Sequence, residues 1–170
     1  MHQQVVETLD LPLGQETFFA DTLCSLAGGL EDSVGLKGAS TFISEVGSEI
    51  GEGISEQYTD AIGTRAWTGE QVAEVLVDLK RRIGGDFRVE SVTEDEIVLT
   101  NLRCPFATRV RGRPSLCMMT TTVFGTVAAR ATGYAAVRID KAIALGHPAC
   151  RVEVRLKRDE CQDGYEFFAE

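Results

Sequence analysis

The side chains in this sequence that are most able to do chemistry are its five cysteines, three of which lie between positions 104 and 150. Twelve residues separate Cys104 from Cys117, and Cys150 follows 33 positions after Cys117. Thiolates bind zinc and iron–sulfur clusters when three or four of them converge on one point. No close Cys-x-x-Cys pair occurs, so any convergence has to come from the fold and not from local spacing.

The elements predicted around these thiols place them where they could meet. Pro105 favours an extended conformation for Cys104, which puts this thiol at the exit of a strand. Pro114 suits the first turn of a helix that contains Cys117, and Cys150 has the inward parity of a strand. One hypothesis is therefore a metal site formed by Cys104, Cys117 and Cys150, with zinc or an iron–sulfur cluster as its cofactor.

Other groups could complete or replace this ligand set. Cys161, or less readily His147, would supply a fourth ligand, whereas Cys24 belongs to the first predicted helix and is expected in the core. Free cysteine is among the most buried residue types, so a group of small buried side chains is the alternative to a ligand set.

Catalysis has less support from the sequence. The two histidines are His2, near the N-terminus, and His147, which lies between Gly146 and Pro148 in a predicted turn. No base and nucleophile pair stands out, and there is no Walker pattern or glycine-rich phosphate loop after a strand. We therefore expect a protein that is not an enzyme, with a thiol-dependent enzyme as the catalytic alternative.

Charge is unevenly distributed along the chain. Residues 1–100 carry 6 Lys and Arg against 19 Asp and Glu, residues 101–157 carry 10 against 2, and residues 158–170 carry 1 against 5. The net charge of −9 argues against nonspecific binding to nucleic acid or to an anionic membrane surface. The local basic excess could attract an acidic partner or an anionic ligand, or could simply pack beside the acidic helices.

The length and composition predict a single domain. With 170 residues, 44% of them hydrophobic, the chain can bury one sizeable core, and we expect terminal extensions at 1–14 and 158–170. No stretch approaches the roughly 20 apolar residues of a membrane span, and the N-terminus lacks the pattern of a secretion signal. These features predict a cytoplasmic protein with reduced cysteines and no membrane contact.

Helical periodicity predicts helices at about residues 15–32 and 37–58, with Gly35 between them. Gly47 and Gly51 lie four residues apart in the second helix, and each would cost roughly 1 kcal/mol relative to alanine at an exposed position. We expect these glycines to permit close approach of another backbone. A ligand lying against the bare helix surface is the alternative.

A third helix is predicted to begin at Thr68, because Gln71 occupies the capping-box position three residues later. Its last turn carries Lys80, Arg81 and Arg82, and cations there complement the negative end of the helix dipole. We interpret this basic cluster as structural.

The later part of the chain combines strands with one more helix. Alternation is sharpest in residues 150–157, while Lys141 has an inward parity that a bulge would correct. The pattern predicts an α+β fold in which helices pack on one antiparallel sheet of four to five strands. Between the two layers we expect a pocket for a small molecule. Its predicted ligand-binding residues are Phe42, Val46, Met118, Thr121, Phe124 and Val137.

Several short motifs resemble the methanogen output domain family. They are CPF at 104–106, RPSLC at 113–117, a helix containing Phe-Gly, ALGHPACRVEV at 144–154, and the earlier run FISEVGSEIGEGI at 42–54. The resemblance covers about residues 15–157. This family is similar to the vinyl-reductase-like small-molecule-binding domains of phenol-sensing transcription activators and of bacteriochlorophyll-pathway proteins.

The resemblance implies a sensory or regulatory domain whose helices pack on an antiparallel sheet around a ligand cavity. In the phenol-sensing relatives, cysteines and an acidic residue hold a zinc ion near the pocket. Cys117 and Cys150 fall where two of those thiols would be expected, whereas Ala142 stands in place of another cysteine and Asp140 lies near the acidic position. The spacing of Cys104 and Cys117 is also similar to that in repressors that sense iron–sulfur clusters.

These observations lead to one functional prediction and two alternatives. The prediction is a stand-alone sensor that binds a small, largely apolar ligand and signals to a protein such as a histidine kinase or response regulator. Direct binding of nucleic acid is not expected, and a homodimer is an assembly that the sequence leaves open. The first alternative is a cysteine-ligated metal or iron–sulfur redox sensor, and the second is a thiol-dependent enzyme.

Overall fold

A computed structural model describes residues 9–159 and 163–169 of the chain, so that His2 and Cys161 lie outside the described residues. The helices in this part are α1 (Gln15–Ile62), α2 (Gly69–Arg82) and α3 (Cys117–Thr132). The strands are β1 (Arg88–Val92), β2 (Glu96–Asn101), β3 (Tyr134–Lys141), β4 (Cys150–Arg155) and β5 (Tyr165–Phe168). Short 3-10 helices span Ala107–Val110, Pro114–Leu116 and Ile143–Leu145.

The five strands form one antiparallel sheet in the order β1-β2-β4-β3-β5. This sheet, with helices packed on it, confirms the predicted α+β fold. β5 lies within the segment 158–170 that the sequence analysis treated as an extension, and it pairs with β3, where Phe168 is opposite Tyr134. A four-residue strand is too short for its alternation to be recognised in the sequence.

The helix α3 lies between the sheet and α1, and α2 lies beside it over β1 and β2. One side of α3 packs on β3 and β5. There the Phe167 ring covers Gly125 so closely that a Cβ at this glycine would clash with the ring. The layers are therefore sheet, α2 with α3, and α1 outermost.

The glycines of α1 allow it to approach α3 closely. A Cβ added to Gly47 would lie 2.9 Å from the Cβ of Thr122, and one added to Gly51 would lie 2.9 Å from the Cβ of Thr126. Real Cβ atoms do not pack at such distances. The predicted close approach of another backbone is confirmed, and the surface of α3 takes the place that a ligand would have had.

The long helix α1 is interrupted at Gly35, where φ is 73° and ψ is 168°. These angles are not helical, so the break between the two predicted helices is confirmed, and helical geometry resumes after the glycine. At the other end, Gly63 adopts a left-handed conformation and its N–H donates to the Thr59 carbonyl, which caps the helix.

One face of α1 is uncovered. It exposes large apolar side chains along most of its length: Phe18, Phe19, Leu23, Leu26, Val34, Leu36, Phe42, Val46 and Ile50. Acidic residues are interspersed among them, and no helix in the described part of the chain has both the length and the apolar content needed to cross a membrane.

The helix α2 begins at the predicted capping box. The Thr68 hydroxyl accepts a hydrogen bond from the Gln71 N–H at 3.3 Å, and the Gln71 side chain accepts one from the Thr68 N–H at 2.9 Å. The buried stripe of this helix contains Val72, Leu76 and, one turn later, Lys80. The cap and the stripe together fix which way Lys80 points.

The predicted bulge in β3 is also present, between Ile139 and Lys141. Strict alternation would have directed Lys141 toward the helices. The extra residue turns it outward instead, and the side chain is exposed.

Candidate functional site

A cavity of about 80 Å³ lies where α2, the loop after β2, the start of α3 and the start of β4 meet. Its wall is mainly apolar and carries a few polar groups. The residues that matter most for its chemistry are Lys80, Phe87, Cys104, Cys117, Ile143 and Cys150. A concave apolar wall with a small number of polar side chains is the usual composition of a small-molecule site.

Three cysteines that the sequence analysis expected to converge line this one cavity. Cys104 follows the end of β2, Cys117 is the first residue of α3 and Cys150 is the first residue of β4. The Cys150 sulfur accepts a hydrogen bond from the Ile143 N–H at 3.3 Å. His147, the histidine considered as a further ligand, is not part of the cavity wall.

The thiols of this cavity are protonated near neutral pH. Burial raises the pKa of Cys117 to about 12, and burial also raises the pKa values of Cys104 and Cys150. The cavity therefore carries three neutral thiols in the metal-free protein.

The metal site that the sequence analysis considered is not confirmed in the described part of the chain. Within the described part of the chain, no group of three or more His, Cys, Asp or Glu side chains is arranged to hold a metal ion. Cys104, Cys117 and Cys150 share the cavity wall with the ammonium of Lys80, whose positive charge repels a metal cation. Cys161, the suggested fourth ligand, lies outside the described residues.

Lys80 is the functional candidate that the sequence analysis missed. Arg81 and Arg82, its neighbours in the last turn of α2, are exposed and both pair with Asp78, but Lys80 is only 4% exposed. Lys80 therefore does not share the exposed position of the other two basic residues in this cluster. The signal in the sequence was its position four residues after Leu76, on the buried stripe of the helix.

The neighbours of the Lys80 ammonium are one hydroxyl and two aromatic rings. Its Nζ donates to the Thr120 hydroxyl at 2.8 Å and lies 5.6 Å and 5.1 Å from the ring centroids of Phe87 and Phe124. Burial lowers the pKa of Lys80 to about 8. No ion pair between Lys80 and a carboxylate occurs in the described part of the chain, and its titratable neighbours there are the three cavity cysteines.

A second, outer pocket of about 210 Å³ adjoins the cavity. The two share Cys104 and Ile143 in their walls, and the outer pocket adds Arg103 and Arg111. Asn101, at the inner wall, is already occupied, because its side chain donates to the Arg103 carbonyl at 3.0 Å and accepts from the Cys150 N–H at 3.2 Å. The outer pocket, beside the cavity that contains Lys80, thus has two arginines in its wall.

The structure places none of the six predicted ligand-binding residues in the cavity wall. Phe42 and Val46 are 54% and 50% exposed on α1, because α3 separates α1 from the sheet. The other four are buried: Met118, Thr121, Phe124 and Val137. On α3 the cavity is lined instead by Cys117, Met119 and Thr120. Of the six, Phe124 comes nearest to the site through its contact with Lys80.

Cys24 lies where it was expected. It is 7% exposed and belongs to a small apolar cluster with Ala27, Val110 and Leu116, next to the cavity cysteines. Burial raises the pKa of its thiol as well. This cysteine is a core residue and not part of the cavity wall.

Comparison with known proteins shows a family and a fold. The sequence matches the family described as methanogen output domain 1 over residues 22–155. The structure is similar to a crystal structure of the phenol-responsive sensory domain of the transcription activator PoxR with phenol, with a TM-score of 0.67, 16% sequence identity and coverage of 86% of this chain and 76% of that chain. No curated protein matches the sequence.

A second similar structure is a trafficking protein particle complex subunit 3 from Naegleria fowleri, covalently bound to palmitic acid. Its TM-score is 0.60 at 14% sequence identity, and the alignment covers 83% of this chain and 96% of that chain. Both likenesses establish a shared fold.

Proposed function

The chain belongs to the methanogen output domain 1 family, and from that premise we propose that it is a sensory domain that binds a small, largely apolar molecule in the Lys80 cavity and passes the signal to a protein partner. The proposal describes a regulatory module and not an enzyme. The observation that supports it is the cavity itself, which is enclosed by four separate elements and has few polar groups in an apolar wall.

The size of the cavity limits the ligand. An engineered cavity of roughly 150 Å³ holds benzene, so a space of about 80 Å³ suits a molecule of only a few carbon atoms unless the wall moves outward. Phenol, which the PoxR sensory domain binds, would need such a movement. A sixteen-carbon acyl chain, as in the palmitic acid of the trafficking protein, is far too long. We infer a small ligand for this chain.

The ligand site is close to elements that could carry a signal. The first residue of α3 lines the cavity, and α3 packs along α1 through Gly47 and Gly51. A shift of α3 on ligand binding would therefore move α1, whose exposed apolar face offers a surface to a partner. A histidine kinase, a response regulator or a second copy of this chain would suit such a surface, and the proposal is that the output is a protein contact.

Binding to a panel of small molecules tests the ligand site. We would measure saturation-transfer NMR with propionate, propionamide, butyrate, propanol and phenol on wild type and on two variants that fill the cavity, Ala144→Phe and Cys117→Leu. Ala61→Phe, on the exposed end of α1, is the control for an added ring. At least one compound should bind wild type and the control and lose binding in both cavity variants.

Two results would overturn the proposal. One is that no member of the panel binds wild-type protein. The other is that binding persists unchanged in both Ala144→Phe and Cys117→Leu, which would place the site elsewhere. Folding of each variant is checked by its thermal transition, and using two variants at different positions protects the test from the failure of one.

A further inference from the structure

We propose that the cavity recognises a small organic anion, with the ligand carboxylate accepting hydrogen bonds from Lys80 Nζ and a short apolar body lying against Phe87, Ile143 and Val152. This inference rests on the proposed function and specifies the chemical class of its ligand. It is carried by two observations: a buried ammonium without a carboxylate partner in the described residues, and an adjoining outer pocket that has two arginines in its wall.

The first observation is that the Lys80 ammonium has more N–H donors than the described residues accept. A lysine ammonium has three N–H donors. One donates to the Thr120 hydroxyl, and the aromatic rings of Phe87 and Phe124 provide partial compensation for the charge. Burying an ammonium without an anion is costly, and the cost falls when a charged acceptor completes the set. A ligand carboxylate in the cavity would be that acceptor.

No residue in the described wall of the cavity supplies a negatively charged acceptor to Lys80. Cys104, Cys117 and Cys150 are the titratable neighbours of Lys80, and burial raises the pKa of each thiol, so they stay neutral near pH 7. The Asn101 side chain is committed to backbone groups on both sides. The positive charge in the cavity is therefore matched by no internal negative charge from these residues.

The second observation is the charge of the outer pocket. Arg103 and Arg111 line it, and neither takes part in a side-chain ion pair in the described part of the chain. Arg109, in the same loop, differs because it pairs with Asp21 on α1. In a chain with a net charge of −9, two such guanidinium groups next to the cavity of a buried lysine form a local attraction for anions.

Matched pairs of an acid and its amide test the inference, because they have nearly the same shape and differ in charge. Isothermal titration calorimetry with propionate and propionamide, and with butyrate and butyramide, should show that wild type binds each acid at least about tenfold more tightly than its amide. Lys80→Met should bring this ratio close to one. Lys37→Met, which removes an exposed lysine on α1, should keep the wild-type ratio.

A second variant guards against an indirect effect of Lys80→Met. Thr120→Val keeps the shape of the side chain but removes the hydroxyl that positions the ammonium. It should lower the ratio of acid to amide affinity without abolishing it. A ratio that stays at the wild-type value in both Lys80→Met and Thr120→Val would overturn the inference.

The outer pocket makes a separate prediction about salt. Replacing Arg103 and Arg111 together with glutamine should weaken propionate binding several-fold at low ionic strength and flatten its dependence on salt, with no change for propionamide. Arg65→Gln, which lines a different pocket, is the control. Unchanged salt dependence in the double variant would show that Arg103 and Arg111 do not attract the anion.

The outcomes separate this inference from the function on which it rests. If wild type binds propionamide or propanol as tightly as propionate, the anion inference is wrong and the small-molecule site stands. If neither the acids nor any neutral member of the panel binds, the proposed function itself fails. Tighter binding of propionate that depends on Lys80 supports both.

Discussion

Leu76 and Lys80 occupy the same buried stripe of α2, one helical turn apart, yet they face very different surroundings. Leu76 is fully buried in a continuous apolar core with Ile97, Leu99 and Val127. Lys80 faces a cavity, three thiols and a threonine hydroxyl. The helical layer over the sheet is therefore solid at one end and hollow at the other. Under the proposed function, the solid end serves stability and the hollow end serves binding.

A substitution at the solid end should have the largest effect on stability. Leu76→Ala leaves a void in a closely packed core and is expected to lower the free energy of unfolding by about 3 kcal/mol. Leu26→Ala on the exposed face of α1, where the side chain is 65% exposed, should cost less than about 0.5 kcal/mol. Urea unfolding of both variants checks this. Similar losses of stability in the two leucine variants would mean that the core around Leu76 is not closely packed.

At the hollow end the same helix should respond in the opposite direction. Lys80→Met removes a buried charge that lacks an anionic partner, and we expect the ligand-free protein to gain about 1–2 kcal/mol of stability. Lys37→Met on α1 should change it little. Thermal unfolding in the absence of added anions measures the gain. A clear loss of stability in Lys80→Met would show that the ammonium already has full compensation in the free protein.

The interface between α1 and α3 can be compared with the open side of α1 by two alanine substitutions. In Gly51→Ala the added carbon would lie 2.9 Å from the Thr126 Cβ and 3.3 Å from the Val123 Cα, so we expect a net loss of about 1 kcal/mol. Gly53→Ala meets no atom within 4 Å and should gain about 0.5–1 kcal/mol from helix propensity. A gain in both variants, measured by urea unfolding, would disprove the close packing.

The smallest expected effect is at the contact between α1 and α2. The Tyr58 hydroxyl donates to Asp78 at 2.6 Å, and hydrogen bonds from Tyr58 and then Arg82 hold the pKa of that carboxyl well below its usual range. Tyr58→Phe should cost about 0.5–1 kcal/mol at pH 7.

The pH dependence of this contact follows from the direction of the shift. Because the folded-state pKa of Asp78 is depressed, its contribution is complete above the unfolded-state pKa of about 3.9 and is lost as the pH falls below that value. The stability difference between Tyr58→Phe and wild type should therefore shrink between pH 5 and the most acidic pH at which unfolding can be measured. A constant difference would assign the effect of Tyr58 to packing alone.

Local signals in the sequence were sufficient for much of the fold. The helix break at Gly35, the capping box at Thr68 and the alternation that begins at Cys150 each depend on neighbouring residues, and all three are present. The bulge before Lys141 was predicted because strict alternation would have directed this charged side chain toward the helices, and the bulge is present. Such features can be read locally because the interactions that create them are local.

The site could be predicted only in part, because it depends on how the layers stack. The convergence of the cysteines followed from their places at element ends, but the choice of Phe42 and Val46 assumed that α1 faces the sheet. The structure inserts α3 between them, and no local pattern encodes that order. Lys80 was missed because a basic last turn suits the helix dipole wherever its side chains point.

The claim that the hollow end is a ligand site can be tested most directly by methyl NMR of wild-type protein titrated with propionate and then with propionamide. The account predicts that shifts concentrate on Ile143 and Val152, which line the cavity, and that they disappear in Ala144→Phe. Val72 in the packed stripe of α2 should not respond. Shifts absent at the cavity methyl groups, or confined to exposed residues of α1 such as Ile50, would contradict it.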